Sequence, residues 1–167
     1  MKKKIFPKIF IGLLSLILIL VLMYIFISQP HLVTGRSMEP TLQNGKQIFS
    51  NKLIYRFRDP LRGEIIIFNS PQDRDLDFIA RVIAIPGDRI MISKGNVYLN
   101  GLLLEEPYLF EDNSTSSGKS LSENEEKLLE NDEYFVMGDR RALSNDSRIY
   151  GVVARDLIIG KYFSSSN

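Results

Sequence analysis

The chain has 167 residues, 44% hydrophobic and 25% charged, with 21 Lys and Arg against 20 Asp and Glu, one His, no Cys and no Trp. That length holds one modest domain beside a membrane anchor. Without cysteine there is no disulfide, thiolate nucleophile or zinc cluster, and a single histidine makes a His-rich metal site or a Ser-His-Asp triad hard to assemble. Hydrolytic chemistry would have to come from Ser, Lys, Asp or Glu.

The formal charge of +1 is unevenly spread. Lys2, Lys3, Lys4 and Lys8 are basic and unopposed in residues 1–8, which leaves 17 basic against 20 acidic residues, a net −3, for the rest. That division argues against nucleic acid as a partner and for a membrane protein of fixed orientation. Residues 9–28 carry no charge. At about 1.5 Å per residue they match the roughly 30 Å hydrocarbon core, so the pattern predicts one transmembrane helix. The run is longer than the 7 to 15 apolar residues of a cleaved secretory signal, and Gln29-Pro30-His31 follows it in place of a small-residue cleavage site. The Lys cluster places residues 1–8 in the cytoplasm and residues 29–167 outside, anchored by a single pass to the cell membrane.

Beyond Pro30 the apolar runs are short, β-branched and punctuated by turn residues: Gln47–Phe49, Glu64–Phe68, Phe78–Ile85, Arg89–Ile92, Val97–Leu99, Leu102–Leu104, Tyr134–Met137 and Leu157–Phe163. This pattern predicts a mainly β domain, with a hairpin at Asn100-Gly101 and a tight turn at Pro86-Gly87-Asp88. Only a weak helical periodicity around Leu121–Leu129 competes with it. Residues 105–133 hold ten acidic residues against Lys119 and Lys127, around a Ser-rich centre. They are expected to form a solvated, partly mobile insert, with an acidic partner-binding loop as the alternative. Asn113-Ser114-Thr115 and Asn145-Asp146-Ser147 match the glycosylation sequon, a short pattern of little weight.

Three segments join an apolar run to an abrupt polar end: Gly35-Arg36-Ser37-Met38-Glu39-Pro40-Thr41-Leu42, Phe78-Ile79-Ala80-Arg81-Val82-Ile83-Ala84-Ile85-Pro86-Gly87-Asp88, and Gly138-Asp139-Arg140-Arg141-Ala142-Leu143-Ser144-Asn145-Asp146-Ser147-Arg148. Singly they read as a capping serine, a buried strand with its turn, and a charged surface loop. Together, in this order behind an amino-terminal anchor, they resemble the type I signal peptidases of the S26 family, in the short single-anchor layout of Gram-positive members. Those are membrane-bound Ser/Lys endopeptidases that remove signal peptides from exported preproteins. The resemblance implies a β catalytic domain working at the bilayer surface without metal or cofactor.

It also implies residue roles. Ser37 matches the nucleophile, whose own N–H helps hold the oxyanion. Gly35 stands where some members carry a second oxyanion-donating Ser. Val33, Met38, Leu42, Phe78 and Ile79 match positions lining shallow pockets for small side chains at −1 and −3 of the cleaved peptide. Ser144 matches a hydroxyl that orients the general base, and Asp146, Arg81 and Arg148 match a charged network bracing the site.

One position departs. The family's general base is a Lys directly before the Arg-Val-Ile segment, and this chain has Ala80 there. On a strand over 78–85, Phe78, Ala80, Val82 and Ala84 share one face. A Lys in that apolar setting would have a lowered pKa and could work as a neutral amine. Alanine cannot accept a proton, and losing one member of a catalytic unit can cost about 10⁴ to 10⁶ in rate. The chain as written is expected to be nearly inactive. The favoured explanation is an engineered Lys→Ala change in a working peptidase. The alternative is a natural non-catalytic relative that binds exported proteins or assists surface assembly. A third option, recruitment of another base such as His31, has nothing in the sequence to aim it.

Overall fold

The computed structural model describes residues 5–109 and 114–163 and, in the first helix, the side chains of residues 9–21. That helix, α1 (Ile5–Ile27), leads directly into the first strand, β1 (Ser28–Leu32). The chain therefore leaves the helix one residue before the expected boundary and begins to pair at once. Side chains 9–21 are all exposed. Among the described residues no helix is long and apolar enough to cross a membrane. Residues 1–4 of the basic tail lie outside the described residues.

The rest is mainly β. β2 (Gln47–Asn51), β3 (Ile65–Asn69), β4 (Asp77–Ala84), β5 (Arg89–Ser93), β6 (Asn96–Leu99) and β7 (Leu102–Leu103) fall on expected apolar runs. β8 (Glu126–Leu128), β9 (Glu133–Met137), β10 (Val153–Ala154) and β11 (Ile158–Phe163) complete the strands, with one short helix, α2 (Ser147–Tyr150). β1–β2–β11–β3–β4–β9–β10 form a seven-stranded sheet, and β7–β6–β5–β8 form a four-stranded one. The named strand pairs are all antiparallel. Asn100 and Gly101 have φ of 53° and 79°, the two left-handed residues of the expected hairpin turn.

Alternation along β4 directs the core. Ala80 and Val82 pack with Ile66, Phe68, Val136 and Tyr134 on one face, while Ile79 packs on the other against Val33, Met38, Leu42, Ile48 and Ile67. Between Val82 and Ala84 the β4–β9 register shifts, and Ala84 joins Ile83 in the cluster under the small sheet. The single face expected for Phe78, Ala80, Val82 and Ala84 is broken at that irregularity.

The acidic stretch differs from expectation. No helix forms over Leu121–Leu129: β8 pairs with β5 instead, and Leu121 and Leu129 are fully buried in the second core cluster. Thr115 is 1% exposed, and Glu106 pairs with Arg141, whose side chain has no exposure. The described parts of 105–133 are integral to the fold, because two leucines and a buried guanidinium partner outweigh a composition that reads as solvated. Asn113 of the first sequon lies outside the described residues, and Asp146 and Ser147 of the second are buried.

Candidate active site

The three segments meet along one groove of about 530 Å³. The stretch after β1 supplies Val33, Gly35 and Ser37, β4 supplies Asp77, Phe78, Ile79 and Ala80, and the loop before α2 supplies Ser144 and Asn145. Of the expected pocket residues, Val33, Phe78 and Ile79 line this groove. Met38 and Leu42 do not. They are 1% and 0% exposed in the core with Ile48 and Ile67, as the N–H of Leu42 bonds back to the Met38 carbonyl and curls both side chains inward. That expectation is corrected: they support the groove from beneath.

Backbone contacts fix Ser37. The Arg140 N–H donates to the Ser37 carbonyl at 2.8 Å, and the Gly35 N–H donates to Asn44 Oδ1 at 2.9 Å. Gly138 is the contact point between segments. Its N–H lies 3.1 Å from Ser144 Oγ and 3.1 Å from Asp146 Oδ2, and a Cβ there would collide with Ser144 Oγ and the Ser37 carbonyl. Only glycine lets the strand end approach this closely. Ala80 is 3% exposed, packed with Phe68 and Val136 at the groove wall.

The charges separate into two units. Asp146 caps α2 and receives Arg148 Nε at 2.7 Å and Nη2 at 2.8 Å, while Arg148 Nη2 also donates to the Arg141 carbonyl at 2.7 Å. Arg81 instead meets Asp139, Nε to Oδ1 at 2.8 Å and Nη2 to Oδ2 at 2.6 Å, and lies 4.0 Å from the Tyr108 ring centre. Burial works against the Arg81 cation, but the Asp139 carboxylate outweighs it and raises its pKa. Thr41 also donates to Asp139. The expected joint network of Arg81, Asp146 and Arg148 is thus corrected: Asp139 is the partner of Arg81. It stands inside a motif already singled out, and only the fold assigns it.

Two further groove features escaped sequence reading. Tyr150, the last residue of α2 before Gly151, lines the groove with its hydroxyl buried and without a hydrogen-bond partner among the described residues. Burial, then the Asp146 charge, pushes its pKa well up, so it remains a neutral phenol. His31 Nε2 lies 2.9 Å from Ser50 Oγ and its Nδ1 lies 3.4 Å from Asp77 Oδ2. The lone histidine therefore does sit in a Ser-His-Asp arrangement, but Ser50 is 0% exposed on an interior strand. A serine closed off from substrate is not an attacking group. Among the described residues no group of His, Asp and Glu could hold a metal ion.

A family model described as "Signal peptidase, peptidase S26" matches residues 7–165. The chain is 38% identical over 145 residues to a probable signal peptidase I-2 of Synechocystis, covering 83% of this chain and 62% of that protein. It is 31% identical over 147 residues to signal peptidase IB of Staphylococcus aureus strain N315, covering 81% of this chain and 76% of that one. Among solved structures it resembles a signal peptidase I from Enterococcus faecalis V583, with TM-score 0.52, 26% identity, and coverage of 62% of this chain and 97% of that one. The chain belongs to the S26 signal peptidase family. It spans less than two thirds of the length of the Synechocystis relative.

Proposed function

We propose that the groove receives the end of a signal peptide of an exported preprotein in extended form and presents its scissile carbonyl to Ser37. The observation that carries this reading is that Ser37, Ser144 and Ala80, far apart in sequence, line one groove. In the working form of the site a Lys at position 80 is the general base. It takes the Ser37 hydroxyl proton as Oγ attacks the carbonyl carbon, then returns it to the leaving amine. Ser144 orients that amine, and the Arg81–Asp139 and Arg148–Asp146 units brace the two segments that hold it. Val33, Phe78 and Ile79 limit the side chains admitted at −1 and −3.

With Ala80 the groove binds but the proton has no acceptor. His31 does not stand in, because its Nε2 is engaged by Ser50. An engineered Lys→Ala change remains the favoured origin, with a natural binding or surface-assembly factor as the alternative. The apolar, exposed side chains of residues 9–21 support insertion of α1 into the bilayer, with the Lys-rich tail in the cytoplasm and the β domain outside. Residue 37 then lies close to the surface where a substrate's own apolar segment delivers its cleavage site.

The test is Ala80→Lys, which should raise cleavage of a signal-peptide substrate at least about 10³-fold, with Ser37→Ala in that background abolishing the gain. No gain from the restored lysine would overturn the dyad reading.

A further inference from the structure

We propose that the end of the groove away from Ser37 is a specificity-determining subsite, built by His31 and Asp77, that takes a cationic side chain of the bound peptide. This rests on the groove-binding reading above. Asp77 lies three residues before Ala80 on β4, roughly 10 Å of extended strand, and His31 precedes Ser37 on the facing wall. A peptide laid along the groove from Ser37 therefore reaches this pair after about three residues.

The pair is bridged across the curl of the sheet. β1 and β4 are separated by β2, β11 and β3, which in a flat sheet would put them about 19 Å apart, yet His31 Nδ1 and Asp77 Oδ2 are 3.4 Å apart. The side chains differ in exposure, 11% for His31 and 39% for Asp77, so the carboxylate is what a ligand meets.

Donor and acceptor counting decides the ligand class. His31 Nδ1 faces Asp77 and Nε2 lies 2.9 Å from Ser50 Oγ, so both ring nitrogens are occupied. Asp77 Oδ1 receives Asn69 Nδ2 at 3.0 Å. A carboxylate has about four acceptor positions, so about two remain on this groove-lining side chain. The ionised carboxylate can accept hydrogen bonds and cannot offer one.

The subsite's charge has the same sign. Burial lowers the His31 pKa despite Asp77, so the ring is neutral near pH 7. The neighbouring β3–β4 turn adds Asp73 and Asp75, and its Arg74 is turned to Asp156 at 3.3 Å. Lys52 is the opposing cation that His31 feels. Arg36, at the other end of the groove, is paired with Glu39 at 3.0 Å. Three carboxylates against one unpaired lysine leave this end negative, which favours Lys or Arg and disfavours Asp or Glu.

The test uses the full chain in detergent and fluorescent signal-peptide fragments carrying Lys, Ala or Glu in turn at −4, −5 and −6, beyond the small-residue positions −1 and −3. At one of these positions the Lys peptide should bind at least about tenfold more tightly than the Glu peptide. Asp77→Asn should bring the two within about twofold, and Asp77→Lys should reverse the order, which a merely structural role for Asp77 would not do. Equal binding of all three residues at every position, competed by an unlabelled signal peptide, would overturn the subsite and leave the groove reading standing. No binding of any peptide would overturn both.

Discussion

The Arg140 amide donates to the Ser37 carbonyl at 2.8 Å, so the residue that would attack substrate is held by the segment that carries Ser144 and Asp146. Segments a hundred residues apart form one unit at this bond. Disturbing the segment after β9 should therefore be felt at Ser37.

Gly138→Ala places a methyl against Ser144 Oγ and the Ser37 carbonyl. Overpacking of this kind costs about 1 to 3 kcal/mol. We expect a urea midpoint shifted down accordingly and, in the Ala80→Lys background, a loss of kcat larger than the change in KM. An unchanged midpoint and rate would contradict the close approach.

Asp139→Asn leaves Arg81, with 12% of its side chain exposed, facing a neutral partner that cannot balance its charge. Breaking one side of a buried pair costs about 3 to 5 kcal/mol. Replacing both, as Arg81→Met with Asp139→Leu, should recover part of that loss. Equal destabilisation in the single and double variants would show that the charges are not the relevant feature.

Glu106→Gln removes the carboxylate partner of Arg141, a guanidinium with no exposure. A loss of about 3 kcal/mol is expected, whereas Glu105→Gln at an exposed neighbour should change stability by under about 0.5 kcal/mol. Chemical denaturation of the two variants decides whether this acidic stretch is a structural part of the domain or a solvated insert.

Acid should lower the stability over two ranges of pH. Burial lowers the His31 pKa below 6.5. The unfolded chain then binds that proton more readily, and stability declines as pH falls from about 6.5 through the folded value. At Glu64 burial pushes the carboxyl up, but hydrogen bonds from Arg58, Lys161, the Leu61 amide and Tyr55 outweigh it and hold it at about 2. Its contribution is full above the unfolded value of 4.5 and is lost as pH falls toward 2. Thermal melts between pH 7 and pH 2 should show His31→Gln flattening the upper range and Glu64→Gln the lower one.

The sequence by itself determined the strand-forming runs, the Asn100-Gly101 hairpin, the three segments of the site and the alanine at position 80. Each is written in a few consecutive residues, as alternation, turn chemistry or a motif, and local preference is enough to read it. The tertiary structure alone decided the pairings. Arg81 meets Asp139 and not Asp146, Met38 and Leu42 turn into the core, Glu106 reaches Arg141, and His31 finds Ser50 and Asp77. These depend on the order β1–β2–β11–β3–β4 and on the curl that brings its outer strands face to face. Periodicity tells which side of its own strand a residue occupies. It carries no information on which distant strand will stand opposite, because that is settled by burial summed over the whole domain.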